Sequence, residues 1–216
     1  MDAQTCILTR RSVRQFTDQP VPHELLEDVV ALAAYAPSWK NTQISRYLAI
    51  EDPAMRETIA SEYCLAGANN PAIIRSAPLL VAQTFVKNRC GYERDGSFTT
   101  DREDGWQYYD CGIAAQTFCL AAHDLGLATV IMGVFDRKRL QEYLQVPEDQ
   151  ELMALIAVGY PSTLRQCWDR NSPSLPAGKV RIFSAPTWAA RSHGKRPAAL
   201  RHGRTPPTAA EAPSGR

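Results

Sequence analysis

No apolar run in this 216-residue chain approaches the roughly 20 residues needed to span a bilayer. The opening stretch, MDAQTCILTRRSVRQF, lacks the basic-then-apolar order of a secretory signal. Six cysteines (Cys6, Cys64, Cys90, Cys111, Cys119 and Cys167) are scattered, with no C-x-x-C and no Cys/His pairing at metal-ligand spacing. Free thiols, a cytoplasmic location and no bound metal are therefore the expectation. His23, His123, His193 and His202 form no constellation that would serve as an acid, a base or a metal site. There are no internal repeats. Charge of one sign is also missing overall, at a net +1, but the balance is uneven. Of 24 basic and 23 acidic residues, ten and two fall in 162–216, which leaves 14 and 21 in 1–161, a net of −7. An acidic body argues against nucleic acid as a partner.

What is present is an ordinary globular composition, 44% hydrophobic and 22% charged, long enough for one sizeable core. Residues 2–10 read as a short helix, and RRSVRQFTDQPVP, 10–22, as an extended arm. Pro22 leads into a helix whose Leu25, Leu26, Val29, Val30, Leu32 and Ala33 recur at helical spacing, with acids opposite and in the first turn. Residues 47–50 predict a strand, 53–67 a helix opened by Pro53, and 77–86 a buried strand. A polar, aromatic stretch, 87–110, precedes a helix over 111–127 that is apolar on more than one face and ends near Gly126. Residues 128–135 read as a strand, 136–146 as a helix capped by Asp136, and 151–161 as a last core strand. After Pro161 the composition turns to Pro, Arg, Ala, Ser and Gly without period, so 162–216 is expected to be a basic, largely disordered tail. The pattern is that of an α+β domain over 1–161. The surplus apolar face of the 111–127 helix suggests a second subunit.

Two short stretches carry chemistry. RRSVR sets Arg10, Arg11 and Arg14 around Ser12. Fork-shaped guanidinium donors beside a hydroxyl suit a phosphate monoester, and they equally suit the carbonyl end of the first helix. APSWKNTQ offers Ser38, Asn41 and Gln43 after Pro37, either as an ordinary capped turn or as contacts to a flat heterocycle. Gly133 marks a place where a backbone amide could approach a planar ligand unhindered.

Taken in order, residues 7–43, APLLV, DCGIAAQTFCLAAHDLGLAT, IMGVF and VGYP resemble the nitroreductase family of FMN-dependent oxidoreductases, over about 4–161. The resemblance implies an antiparallel-rich central sheet flanked by helices, and an intertwined homodimer with FMN at the subunit interface. It also implies ping-pong hydride transfer from NADH or NADPH to nitroaromatics, quinones or other small conjugated acceptors. On this chain, Arg10, Arg11, Ser12 and Arg14 would hold the phosphate and ribityl chain. Pro37, Ser38, Asn41 and Gln43, given by the partner subunit, would border the isoalloxazine. Asn70 would bond the flavin, and the amides of Met132 and Gly133 would face its N5. No catalytic acid, base or nucleophile is required. Related flavin chemistry (reductive dehalogenation or flavin fragmentation) is the alternative, as is a flavin-binding protein with impaired turnover. The stretch after GYP shows no equivalent of the family's Arg-Lys-Pro segment, with Arg165, Lys179 and Arg181 the candidates to replace it.

Overall fold

In the computed structural model, residues 1–66 and 68–162 are described. The expected disordered tail and its candidates Arg165, Lys179 and Arg181 lie outside them. Six α-helices and four strands are formed among the described residues: α1 (Ala3–Thr9), α2 (His23–Ala33), β1 (Ser45–Ile50), α3 (Pro53–Thr58), α4 (Asn70–Ser76), β2 (Leu79–Val86), α5 (Gly105–Asp124), β3 (Ala128–Met132), α6 (Arg137–Tyr143) and β4 (Gln150–Gly159). The sheet is antiparallel throughout, in the order β1-β2-β4-β3.

The middle of this sheet is covered on both faces, which explains the continuous apolar run of β2. All eight of its residues are buried. Because side chains alternate along a strand, Leu79 and Val81 meet Leu26, Val29 and Ala33 of α2 and Phe118, Ala121 and Ala122 of α5. Leu80 and Ala82 turn the other way, toward Ile73 and Ile74 of α4 and Leu140 of α6. Polar atoms in this interior are paired. The buried Gln83 donates from Nε2 to the Cys111 carbonyl (3.0 Å), and Thr84 donates to Gln150 Oε1 (2.6 Å).

Local signals set the ends of the elements. Asp2 caps α1 by accepting from Thr5 N, Asp52 caps α3 from Ala54 N ahead of Pro53, and Asp136 caps α6 from Arg139 N. Gly126 stops α5 with φ +84°, a conformation open to glycine.

Three expectations are corrected. The helix foreseen over 53–67 is α3 followed by a π-helical turn, Ile59–Tyr63. The helix placed at 111–127 begins six residues earlier, so Trp106 to Asp110 belong to α5 and not to a loop. Helix α4, opened by Pro71 and short of a full apolar period, was not foreseen.

Candidate functional site

The arm after α1 is laid along the free edge of β3. Ser12 bridges Thr129 in parallel, and Val13 N–H donates to the Thr129 carbonyl (3.0 Å). Val13 and Phe16 are buried, Phe16 bridges Pro161, and Thr17 N–H donates to the Tyr160 carbonyl (2.9 Å). With those apolar residues turned inward, Arg10, Arg11, Ser12 and Arg14 together line a cavity of about 280 Å³.

The two readings of RRSVR separate residue by residue. Arg11 Nη1 donates to the carbonyls of Leu8 (2.7 Å) and Arg10 (2.8 Å), which commits it to the carbonyl end of α1. Among the described residues, Arg14 Nη1 reaches only the Ser12 carbonyl, at 3.2 Å. Arg10 Nε is buried and has no hydrogen-bond partner among the described residues. No carboxylate among the described residues forms an ion pair with any of the three. Their field reaches His123, whose imidazole is held below its ordinary value by burial first and then by Arg10. Guanidinium charge with no ion-pair partner among the described residues, beside a hydroxyl, is chemistry suited to an anion.

Arg14 also lines a second cavity, of about 500 Å³, with Gln15, Phe16, Asn69, Ala72, Ser76 and Ser162. Here α4 closes on the arm, Ser76 Oγ lying within 3.5 Å of the Arg14 carbonyl. Asn70, at the start of α4, donates from Nδ2 to the Val134 carbonyl (3.0 Å) and so ties α4 to the loop after β3. Gly133 lies in that loop, just past the last paired residue, Met132. Gly133 is exposed, and a Cβ built there would meet nothing within 4 Å. Met132 is buried.

Pro37, Ser38 and Gln43 line a third cavity, of about 390 Å³, between α2, β1 and α5. Asn41 is in the same turn but not among its lining residues. The two predicted groups therefore line different cavities of one chain.

The turn itself is strained. Lys40, Asn41 and Gln43 have φ of +44°, +56° and +48°. A left-handed non-glycine residue costs on the order of 1–3 kcal/mol and persists only where its surroundings over-determine it. Gln43 N–H donates to Ser38 Oγ (2.9 Å), Thr42 N–H to the Trp39 carbonyl (2.8 Å), and Lys40 pairs with Glu93 (2.9 Å). From outside, Trp39 N–H donates to Asp110 Oδ2 (2.9 Å), and the Trp39 ring lies 4.6 Å from that of Trp106. Cys90 Sγ donates to the same oxygen (3.0 Å), and burial pushes its thiol well above the ordinary value, so it stays a donor. Trp39, Cys90 and Asp110 were not foreseen. A carboxylate on the buried side of DCGIAAQ was the one available sign.

The sequence profile of the Nitroreductase family matches residues 7–160, which span the arm, the turn and every strand. The chain belongs to the nitroreductase family. Among related family proteins, a provisionally named NADH dehydrogenase/NAD(P)H nitroreductase of Methanothermobacter thermautotrophicus is 30% identical over 166 residues, 75% of this chain and 78% of its own. An FMN reductase [NAD(P)H] of Bacillus subtilis is 29% identical over 181 residues, 79% of this chain and 68% of its own. A crystal structure of a nitroreductase family protein from Clostridium difficile shares 25% identity and superposes with a TM-score of 0.64, covering 86% of this chain and all of that one. The α+β fold is thus the nitroreductase fold. The donor set suits the phosphate group of FMN: a cavity lined by a serine hydroxyl and three arginines with no ion-pair partner among the described residues.

Proposed function

We propose that the chain is an NAD(P)H-dependent FMN oxidoreductase that delivers hydride to nitroaromatics, quinones or other small conjugated acceptors by a ping-pong cycle. The observation that carries this reading is a cavity lined by Arg10, Arg11 and Arg14, none of them ion-paired among the described residues, inside a nitroreductase fold. When bound, FMN supplies the two-electron carrier, taking hydride from the nicotinamide and passing it to the acceptor. This chain's residues bind and orient. Arg10, Arg14 and the Ser12 hydroxyl hold the phosphate and ribityl chain, with Arg11 contributing mainly charge. Arg14, which lines both the first and second cavities, is assigned to the span between phosphate and ring system. Asn70 fixes the loop that carries Gly133, and the amides of Met132 and Gly133 are assigned to the flavin edge where hydride arrives. A backbone donor there tunes the cofactor without a titratable group, so no acid or base is needed.

Pro37, Ser38, Asn41 and Gln43 are assigned to the flavin of a partner subunit in a homodimer, in a cytoplasmic protein. The separation of their cavity from the arginine cavity within one chain supports that arrangement, as do the exposed Tyr108 and Tyr109 on α5. Helix α5 would supply much of the subunit contact, since obligate interfaces resemble a core cut in half. Anaerobic titration with NADH and with NADPH tests the chemistry. The expected result is a yellow protein that releases FMN on denaturation and bleaches with at least one nicotinamide. Initial rates at several acceptor concentrations should give parallel reciprocal plots. A protein that binds no FMN, or one whose bound FMN neither nicotinamide reduces, would refute the reading. Light scattering that found a fully loaded monomer would refute the assembly.

A further inference from the structure

We propose that Asp110 is a positioning residue that sets the shape of the flavin-facing turn 37–43 from beneath. The inference rests on the reading of that turn as a wall of the FMN site. Asp110 is only 4% exposed. It sits in the second turn of α5 and lines the same cavity as Pro37, Ser38 and Gln43. One of its oxygens, Oδ2, accepts both from the backbone of Trp39 and from the thiol of Cys90. A single atom therefore joins α5 to the start of the strained turn and to the segment 87–104 that follows β2.

The turn needs such an anchor. Its three left-handed residues carry side chains, so the backbone conformation is imposed by contacts and not by sequence preference. Most of its other bonds are internal, from Thr42 and Gln43 back to Trp39 and Ser38. The Lys40–Glu93 pair is half exposed at both ends and contributes little. The Asp110–Trp39 bond is part-buried and ends on a carboxylate, the kind of acceptor that makes a stronger hydrogen bond than a neutral one. Trp39 also packs on Trp106, one turn of α5 before Asp110, so the helix holds that residue at both its backbone and its ring.

Asp110 touches no reacting atom in this scheme; it acts through Trp39. Hydrogen exchange of the full-length, FMN-loaded protein, read on peptides covering 37–43, tests it in Asp110→Ala and Asp110→Asn. Losing a hydrogen bond to a charged acceptor should speed exchange of the turn and weaken FMN by at least about tenfold each in Asp110→Ala. Asn keeps an acceptor for the Trp39 amide, and should recover both to within about threefold. Unchanged exchange of the turn in Asp110→Ala overturns the proposal. So does an equal rise along the whole of α5, which would make the residue merely structural. If the turn loosens while FMN affinity and turnover stay put, the turn is not a wall of the site. The positioning role then falls with it, whereas the arginine cavity is judged separately by riboflavin controls. Should Asp110→Ala not fold, Asp110→Leu fills the same buried space without an acceptor. Parity between Leu and Asn variants in exchange of the turn then overturns the proposal.

Discussion

Replacing Arg10 by alanine should weaken FMN without weakening the protein that holds it. Two quantities of similar size act in opposite directions on the FMN-free fold. The buried Nε lacks a partner, and a buried donor left unsatisfied costs about 1–3 kcal/mol. Removing it returns that penalty, while the lost packing of the aliphatic stem takes back about 1 kcal/mol. The net is expected to be about 0–2 kcal/mol in the variant's favour, a rise in Tm of no more than about 4–8 °C for a chain of this size. Binding has no such cancellation. A hydrogen bond from guanidinium to phosphate is worth about 1.5–3 kcal/mol, so Kd for FMN should rise by roughly ten- to a hundred-and-sixtyfold. Riboflavin, which has no phosphate, should change by less than about threefold under the same treatment. Fluorescence titration of the apoprotein with each flavin, beside a melting curve, gives all three numbers. Equal losses for FMN and riboflavin, or a fall of the apoprotein's Tm by more than about 8 °C, would refute the reasoning.

The neighbouring arginine should behave differently: because Arg11 is already spent on the carbonyls of Leu8 and Arg10, Arg11→Ala should cost less FMN affinity than Arg10→Ala, and loosen α1 as read by exchange of its amides. Gly159→Ala should destabilise by about 1–3 kcal/mol in urea unfolding, the usual cost of overpacking. Its Cβ would stand 2.6 Å from Pro78 Cδ and 3.1 Å from Phe16 Cδ1. The Glu57 carboxyl, gripped by Arg75 through Nε and Nη2, is held below its ordinary value of 4.5. A depressed value means the stabilisation is complete above 4.5 and lost as pH falls through the folded value. Glu57→Gln should therefore flatten the decline of Tm on acidification below pH 4.5, and an unchanged slope would contradict that assignment.

Legibility in the sequence followed how local the cause was. β2 was evident because both of its faces are covered, so all eight residues had to be apolar or paired. The cap at Asp136 and the helix start at Pro53 were readable because each acts within one turn. Helix α4 was missed because seven residues with two buried isoleucines make no period. The start of α5 was hidden by Gln107 and Asp110, polar residues that are buried because they have partners, which hydropathy does not register. The arginine cluster could be found by composition, yet the division of labour between Arg10 and Arg11 depends on which one faces the helix end. The turn at 37–43 was recognised, but not its left-handed backbone, because it lacks glycine and its anchor lies 71 residues away.

Placing the arginine arm against β3 has a consequence apart from cofactor binding. β3 is the last strand in the order, and its outer side would otherwise offer open amides and carbonyls to any passing chain. Ser12 and Val13 occupy part of that side by pairing with Thr129. The segment proposed to hold the phosphate is therefore also a guard against edge-to-edge aggregation. If losing FMN frees the arm, it also uncovers a template for self-association beside the exposed Ile131 and Val134. Starvation for the flavin would then show itself first as turbidity, before any loss of helix or sheet.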